Sequence, residues 1–370
     1  MQRIRRALID LRRGEPVLVT GEGGARLVIA IENLNEERLG VIRGLTTKPI
    51  SLLITGHRAR ALGMDRPEDE AVTLILGRLE DGAPLDALMA AMKNPMGLDA
   101  ANTALAAEYA AIEMTRHAGL MPALVAIAAD PSAPELREQI ETGEILRVDA
   151  PDIAALAPGT LNTPERISEA HVPLEDAESS RFIVYRERDG LLEHVAVLIG
   201  EPESWPGIPA LRMHSACLTG DLFGSLRCDC GEQLRSAAAT IAEEGGGVLL
   251  YLAQEGRGIG LANKLRAYGL QDTGLDTVDA DQLLGFGEDE RRYEAAAAML
   301  RDLDIRQVRL MTNNPAKISA LEAAGIEIAG REALHGRLNS HNVRYLTAKA
   351  DRAGHWLEEV LADGRPDGRA

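Results

Sequence analysis

The stretch LRMHSACLTGDLFGSLRCDCGEQLRSA, residues 211–237, contains every cysteine of this chain. Cys217, Cys228 and Cys230 stand in a C-x10-C-x-C pattern. Three thiolates with no fourth protein ligand nearby leave one position of a tetrahedral zinc ion open, which is typical of a catalytic zinc site. Free cysteines also pack as small hydrophobic residues, which is the alternative interpretation. Their confinement to one segment favours the metal site.

Composition limits the partners that the protein can have. The odd number of cysteines and the lack of a signal peptide or long apolar run predict a reducing, cytoplasmic location without disulfides. A formal net charge of −17 disfavours nucleic acid and anionic membranes as partners. An aromatic content of 3% also argues against a surface on which single-stranded bases stack. We therefore expect a small-molecule partner, with no nucleic acid and no membrane.

The length of 370 residues predicts two domains. The stretch VDAPDIAALAPGTLNTPERISEAHVP, residues 148–173, is rich in proline and lacks periodicity, which is typical of a connection. We expect an α+β domain at 1–150, a linker at 151–164, an α/β domain with a mixed sheet at 165–357, and a tail at 358–370.

Periodicity and turn residues predict the elements of both domains. In the first domain they indicate helices at Ile4–Arg13 and Ala101–His117 and strands at Pro16–Thr20, Leu27–Ile31 and Ser51–Thr55. In the second they indicate antiparallel strands at Arg181–Glu187 and His194–Gly200, buried strands at Gly247–Leu252 and Val308–Met311, and helices at Leu261–Leu270, Glu294–Leu303 and Leu346–Leu361. A further helix has Asn314 as its cap, Pro315 at its first position and Gly325 at its end. The turns that follow the two buried strands lie at their carboxyl ends, which is where ligands usually bind in α/β sheets.

Four segments of the second domain carry side chains suited to chemistry. The first is the cysteine segment, and the second is QEGRGIGLANK, residues 254–264, whose glycines let backbone amides approach an anion but also suit an ordinary tight turn. The third is LGFGEDERRY, residues 284–293, where a carboxylate also commonly serves only the dipole of the next helix. The fourth is TNNPAK, residues 312–317, which suits a phosphate or carbonyl at the start of a helix.

In this order, the four segments resemble GTP cyclohydrolase II over roughly residues 165–357. The resemblance implies hydrolysis of GTP to 2,5-diamino-6-(5-phosphoribosylamino)pyrimidin-4(3H)-one, formate and pyrophosphate, the first step of riboflavin biosynthesis, by a homodimer. It implies one Zn2+ per subunit on Cys217, Cys228 and Cys230, and Mg2+ with the triphosphate. The nucleotide contacts that it implies are Arg212, Met213, His214, Ser215, Ala216, Gln233, Glu255, Gly256, Arg257, Thr277, Thr312 and Lys317.

The resemblance also implies catalytic roles for three residues. They are Asp289 as general base, Arg291 as nucleophile towards the α-phosphorus, and Tyr268 beside the reacting ring. A charged guanidinium offers no lone pair, so a bidentate clamp on phosphoryl oxygens is the milder role for Arg291. A tyrosine within a helix is also often just packed.

Two departures from the family leave alternatives open. The family has a glutamate where this chain has Ala216, and an arginine where it has Ala253. These changes allow a related hydrolase that acts on another nucleotide or base, of the pyrimidine-catabolism type. A non-enzymatic zinc regulator that binds GTP is a further alternative. We favour GTP chemistry, because each residue matched to metal and phosphate is present.

The first domain resembles 3,4-dihydroxy-2-butanone 4-phosphate synthase. The segments that carry the likeness are RIRRALIDLRRGEPVLVTGEGGARLVIAIENLNEERL (3–39), LLITGHRARALG (52–63) and EYAAIEMTRHAGLMPALVAIA (108–128). The family binds magnesium through an acidic stretch, but residues 20–26 here contain a single carboxylate, which is poor support for a hard cation. No counterpart of its metal-binding histidine is found at 100–110. We expect a folded domain without synthase activity that serves packing, dimerisation or regulation.

Overall fold

Two sets of hydrophobic strands divide the chain into two units. The computed structural model describes residues 2–46, 48–76, 84–94, 99–100, 104–155, 163–188 and 190–343, together with 346–347, 350, 354 and 356–357. The first unit comprises residues 1–156, 262–275 and 279–290, and the second comprises 157–261, 276–278 and 291–370. Among the described residues, no helix combines the length and hydrophobicity that a membrane span requires.

The first unit is built around a sheet to which seven of the described strands belong. The strands are β1 (Val17–Gly21), β2 (Gly24–Ala30), β3 (Ile50–Thr55), β4 (Ala71–Ile75), β5 (Asp99–Ala100), β6 (Ala123–Ala129) and β7 (Leu146–Asp149). Its amino-terminal helices are α1 (Gln2–Arg13), α2 (Glu36–Leu45), α3 (Gly56–Ala61), α4 (Pro84–Lys93), α5 (Ala106–His117), α6 (Pro134–Thr142) and α7 (Ala150–Ala154).

The sheet order in the first unit is β5-β4-β3-β6-β2-β1-β7, and every pairing except β1 with β7 is antiparallel. The predicted Gly-rich turn closes the hairpin of β1 and β2 between Gly21 and Gly24. Gly24 has a φ of +128°, a conformation that side chains rarely adopt. The alternating apolar residues of the strands form one core, and this α+β organisation confirms the predicted fold class.

The predicted start of helix Ala101–His117 is wrong. Residues 101–103 lie outside the described part of the chain, and α5 begins only at Ala106. Leu105 is extended, and its backbone N–H donates to Glu108 Oε2 at 2.9 Å. This bond satisfies one of the unpaired amides at the helix start and fixes where the helix begins.

The second unit contains a second sheet, again with seven described strands. They are β8 (Glu165–His171), β9 (Ser180–Arg186), β10 (Glu193–Ile199), β11 (Ala210–Ser215), β12 (Gly247–Leu252), β13 (Gln307–Met311) and β14 (Glu327–Glu332). The helices after α7 are α8 (Leu218–Asp221), α9 (Cys230–Glu243), α10 (Leu261–Asp272), α11 (Thr277–Leu284), α12 (Glu294–Asp302) and α13 (Pro315–Ala323). Most residues of α10 and α11 belong to the first unit.

The order of the second sheet is β14-β13-β11-β12-β10-β9-β8. Strands β8, β9, β10 and β12 pair antiparallel, whereas β12, β11, β13 and β14 are parallel, which confirms the predicted mixed sheet. Because β11, β12 and β13 run in the same direction, their carboxyl ends meet at one edge. The cysteine segment, the QEGRG loop and the TNNPAK turn all follow these ends.

Helix α13 forms as predicted, whereas part of the predicted carboxyl-terminal helix is not helical. The side chain of Asn314 accepts from Ala316 N at 2.9 Å, Pro315 is the first helical residue, and Gly325 follows the helix with a φ of +81°. The predicted helix Leu346–Leu361 is wrong in its second half, since Trp356 and Leu357 are not helical. Trp356 N instead donates to Asn313 O at 3.0 Å, a long-range bond that periodicity does not reveal.

Candidate functional site

The three cysteines come together in the second unit. Cys217 directly precedes α8, and Cys230 is the first residue of α9. The Sγ atoms of Cys217 and Cys228 are 3.6 Å apart, and those of all three cysteines lie within 4.8 Å of one another. The hydrogen bond with Cys217 raises the pKa of Cys228 because it favours the protonated thiol, and the negative charge of a neighbouring thiolate raises it as well. A divalent cation offsets this repulsion, so the donor set fits a metal ion.

Glycine is required where the backbone passes over the cluster. A Cβ added at Gly220 would lie 2.8 Å from Cys228 Sγ and 3.0 Å from Cys217 Sγ. A Cβ added at Gly231 would lie 2.2 Å from the carbonyl oxygen of Gly220. The close packing of α8 on the start of α9 therefore depends on two residues without side chains, and this packing gathers the sulfurs.

Asp221 ties the cysteine loop to the sheet. Its carboxylate accepts from Cys217 N at 2.9 Å, from the Tyr251 hydroxyl at 2.9 Å and from His214 Nε2 at 3.0 Å. The rings of His214 and Tyr251 stack with centroids 5.6 Å apart. Burial lowers the pKa of His214 despite the neighbouring carboxylate. A neutral ring whose Nε2–H donates to Asp221 leaves Nδ1 as a buried acceptor.

The QEGRG loop is fixed to the cysteine segment by Glu255. One carboxylate oxygen of Glu255 accepts from Leu218 N at 2.6 Å, and the other accepts from Gly256 N at 3.0 Å. Gly256 and Arg257 both adopt left-handed backbone, with φ of 63° and 60°. For Arg257 this conformation costs about 1 kcal/mol or more, which is typical of a residue whose position serves a function.

Buried basic side chains join the parallel strands. Arg212 donates to Met311 O at 2.8 Å and to Gln233 Oε1 at 2.6 Å, and burial lowers its pKa to about 10. Lys317, in the first turn of α13, donates from Nζ to Met213 O at 2.6 Å. The side chain of Met213 itself packs in the core, so its carbonyl is its contribution to the site. Positive charge is thus held at the carboxyl ends of β11 and β13.

Several buried polar atoms at this edge have no hydrogen-bond partner within the described part of the chain. They include Arg212 Nε, His214 Nδ1, Ser215 Oγ, Gln254 Oε1 and Asn314 Nδ2. Leaving such an atom unpaired costs about 1–3 kcal/mol. Both donors and acceptors are present, as a ligand with a polar heterocycle requires. Thr312 is also buried here, and its hydroxyl accepts from Asn314 N at 3.0 Å.

The remaining predicted site residues are placed as follows. Arg291 and Thr277 belong to the second unit, and Arg291 is close enough to Arg212 to contribute to the lowered pKa of that guanidinium. Tyr268 and Asp289 belong to the first unit. Tyr268 is half-buried in α10 with Lys264 Nζ 5.7 Å from its ring centroid, and Asp289 is exposed in an irregular segment before α12.

The two alanine departures contribute backbone groups. Ala216 N donates to Leu252 O at 2.8 Å and so extends the pairing of β11 with β12. Ala253 N donates to His194 Nδ1 at 3.0 Å, while His194 Nε2 lies 3.0 Å from Glu187 Oε1. His194 is fully buried and Glu187 nearly so. This buried pair therefore fixes the backbone at the start of the QEGRG loop.

Sequence reasoning missed Asp221, Tyr251 and the pair of Glu187 with His194. Asp221 stands four residues after Cys217, a spacing that suits a side chain returning to the backbone of its own loop. The other three residues lie on separate strands or at strand ends. Their meeting depends on strand pairing, for which the sequence carries no local signal.

Comparisons with known proteins agree with this geometry. The sequence model described as GTP cyclohydrolase II matches residues 165–333. GTP cyclohydrolase-2 of Azospirillum brasilense is 42% identical over 363 residues, which cover 96% of this chain and 94% of that relative. The riboflavin biosynthesis protein RibBA of Synechocystis sp. is 44% identical over 254 residues, which cover 67% of this chain and 46% of that relative.

A solved structure of RibBX, a two-domain 3,4-dihydroxy-2-butanone 4-phosphate synthase from A. baumannii, aligns with 90% of this chain and 99% of its own. At 18% identity and a TM-score of 0.33, this likeness adds nothing to the assignment. The mixed sheet, the cysteine cluster and the matched relatives place the chain among the cyclohydrolases, enzymes that hydrolyse rings. It belongs to the GTP cyclohydrolase II family and is an enzyme of riboflavin biosynthesis.

Proposed function

We propose that the protein hydrolyses GTP to 2,5-diamino-6-(5-phosphoribosylamino)pyrimidin-4(3H)-one, formate and pyrophosphate with a zinc ion held by Cys217, Cys228 and Cys230. The observation that carries the proposal is the gathering of three sulfurs within 4.8 Å beside buried, unpaired polar atoms. A zinc ion with three cysteine ligands supplies water of lowered pKa for hydrolysis at neutral pH. We also propose that the enzyme works as a cytoplasmic homodimer.

The strand-end residues bind and orient the nucleotide in this proposal. His214 Nδ1, Ser215 Oγ and Gln254 Oε1 are positioned to exchange hydrogen bonds with the polar edges of a purine. Arg212 and Gln233 hold each other, which keeps the guanidinium oriented. Ala216 and Gly256 are assigned backbone contacts with the nucleotide, and Thr277 and Thr312 are assigned hydroxyl contacts.

The phosphates are assigned to the basic residues of the same edge. Arg257 and Arg291 supply charged forks for the phosphoryl oxygens, and Lys317 supplies a compact charge at the start of α13. Mg2+ bound to the triphosphate would offset its remaining charge. Glu255 orders the loop before Arg257 through Leu218 N, so it orients the arginine that follows.

The chemical steps on the ring are assigned to Asp289 and Tyr268. Asp289 lies in irregular backbone two residues before Arg291, and it is assigned the role of accepting a proton or orienting that guanidinium. Tyr268 is assigned a hydrogen bond to the opening ring. The first domain is proposed to lack synthase activity.

Product analysis after incubation with GTP, Zn2+ and Mg2+ tests the proposal. We expect formate, pyrophosphate and the diaminopyrimidine product in equal amounts from GTP, and no formate from ATP or ITP. Cys230→Ser is expected to abolish formate release, while Ser236→Ala on the same helix retains it. Formate from another nucleotide alone, or GTP binding without turnover by the zinc-loaded protein, would contradict the proposal.

A further inference from the structure

Part of the cyclohydrolase sequence folds with the first unit. The family match spans residues 165–333, yet residues 262–275 and 279–290 within it group with residues 1–156. These two segments carry Tyr268 and Asp289, the residues proposed to act on the ring and on the proton. The contacts that hold these two segments therefore also determine where Tyr268 and Asp289 lie.

The carboxyl end of α11 is anchored by two buried side chains of the first unit. Thr55 Oγ1 donates to Gly285 O at 2.8 Å. Arg58 donates to Leu283 O and, from Nη2, to Met92 O at 2.7 Å. A cation at the carbonyl end of a helix is also favoured by the helix dipole. These hydrogen bonds therefore fix the position of the backbone at the end of α11.

Gly285 makes this anchorage tight. Its φ is +98°, and an added Cβ would lie 3.0 Å from Pro122 Cγ and 3.1 Å from Thr55 Oγ1. A residue with a side chain would be strained here in both conformation and space. The reversal of the chain after α11 is therefore fitted to the surface formed by Thr55 and Pro122.

The side chains of Glu290 and Arg116 hold the segment that contains Asp289 in a turn. Glu290 Oε1 accepts from Gly287 N at 2.7 Å and from Arg116 Nη1 at 2.8 Å. Both side chains are about four-fifths buried, with exposures of 19% and 20%. The bond to Gly287 encloses Glu288 and Asp289 in a closed turn, and Arg116 from α5 fixes the closing carboxylate.

Helix α10 is held from the same unit. Arg266 Nη1 donates to Glu32 Oε2 at 2.9 Å, and that oxygen also accepts from Met121 N at 3.0 Å. Arg266 lies two residues before Tyr268 in the same helix. Each segment with a proposed catalytic side chain thus forms an ion pair with a residue of the amino-terminal domain, Arg266 with Glu32 in one and Glu290 with Arg116 in the other.

We infer that the amino-terminal domain serves as a clamp for these segments, in which Arg116 is a positioning residue that acts on Asp289 through Glu290. The kinetic consequence of this inference rests on the proposed function. The ordering of the turn by Glu290 and Arg116 is independent of the reaction. A domain kept for this purpose needs its fold and these few contacts, and it does not need the synthase reaction.

Hydrogen exchange of the full chain tests the ordering of the turn without reference to activity. In Arg116→Met, we expect amide exchange of the 285–290 segment to accelerate about tenfold, with the 210–230 segment unchanged. Arg116→Lys keeps the charge and loses the fork, so an intermediate acceleration is expected. Arg137→Met removes an exposed arginine of the same unit and serves as the matched control. Exchange at 285–290 equal to that of the control would overturn the clamp.

Kinetics test whether the clamp acts through Asp289. Arg116→Met is expected to lower kcat about tenfold at unchanged KM for GTP. In an Asp289→Asn background, the same change is expected to lower kcat less than about twofold, because the residue it positions is already gone. Equal losses in both backgrounds would overturn the positioning role. If the wild-type protein does not turn over GTP, the proposed function fails, while hydrogen exchange still decides the clamp.

Discussion

Gly220→Ala is the sharpest perturbation of the cysteine cluster, because it adds one methyl group where there is no room. The new Cβ would lie 2.8 Å from Cys228 Sγ and 3.0 Å from both Cys217 Sγ and Cys230 Cβ, whereas ordinary contact begins at 3.4 Å. The atoms must separate by about 0.6 Å or more, which exceeds the tolerance of about 0.2 Å in metal–ligand distances.

The magnitude follows from the cost of overpacking. Forcing an extra methyl into a packed site costs about 1–3 kcal/mol. If that cost arises when the sulfurs converge on one ion, zinc affinity falls about 5- to 150-fold, since about 1.4 kcal/mol corresponds to a factor of ten. Helix propensity works in the opposite direction, because alanine is favoured over glycine within a helix by about 1 kcal/mol. A loss therefore reports the cluster and not the stability of α8.

Competition with a chelating dye measures the zinc affinity of wild type and variant. Gly269→Ala is the matched control, because it lies within α10 and an added Cβ there meets no atom within 4 Å. We expect the control to retain wild-type affinity. Equal zinc affinity in Gly220→Ala and Gly269→Ala would refute the argument that the packing of α8 sets the sulfur geometry.

Three other predictions follow from the same structure. Arg291→Lys is expected to abolish measurable GTP turnover, because lysine cannot reproduce the planar fork, whereas Arg301→Lys retains it; near-normal rates in the first variant would exclude both roles proposed for Arg291. Burial alone raises the pKa of Asp302, but hydrogen bonds from Tyr185 and Arg166 outweigh it and lower the pKa below its ordinary value of 3.8. Tyr185→Phe should therefore cost about 1 kcal/mol or less at neutral pH, and in urea titrations its difference from wild type should vanish as the pH falls below 3.8 through the folded-state pKa. Ribulose 5-phosphate with magnesium should give no dihydroxybutanone phosphate by mass spectrometry, and detection of that product would show an active synthase.

The sequence was sufficient for elements whose signals are local. The buried strand Gly247–Leu252 was predicted with its observed bounds, and Asn314, Pro315 and Gly325 mark helix α13 as predicted. The cysteine spacing likewise predicted a cluster that the fold assembles. In each case the signal lies in a short stretch of the chain, so the local pattern is enough to predict the element.

The parts that escaped prediction depend on contacts between distant residues. The carboxylate of Asp221 meets Tyr251 across 30 positions, and the ring of His194 meets Ala253 N across 59. Residues 262–290 carry helical and turn signals, but those signals do not specify which sheet the segment packs against. Most of this segment groups with the first unit, which is a property of tertiary packing that local signals do not specify.

The alanine departures illustrate how the backbone preserves a site when side chains change. Ala253 N donates to His194 Nδ1, so the other ring nitrogen carries the proton and donates to Glu187. Only the backbone amide of residue 253 takes part in these hydrogen bonds, so they do not depend on a charged side chain at that position. Ala216 N likewise belongs to the pairing of β11 with β12 whatever its side chain. Both substitutions therefore leave the start of the QEGRG loop and the approach to Cys217 in place, and this is the physical reason why the loss of a glutamate and an arginine is compatible with retained cyclohydrolase chemistry.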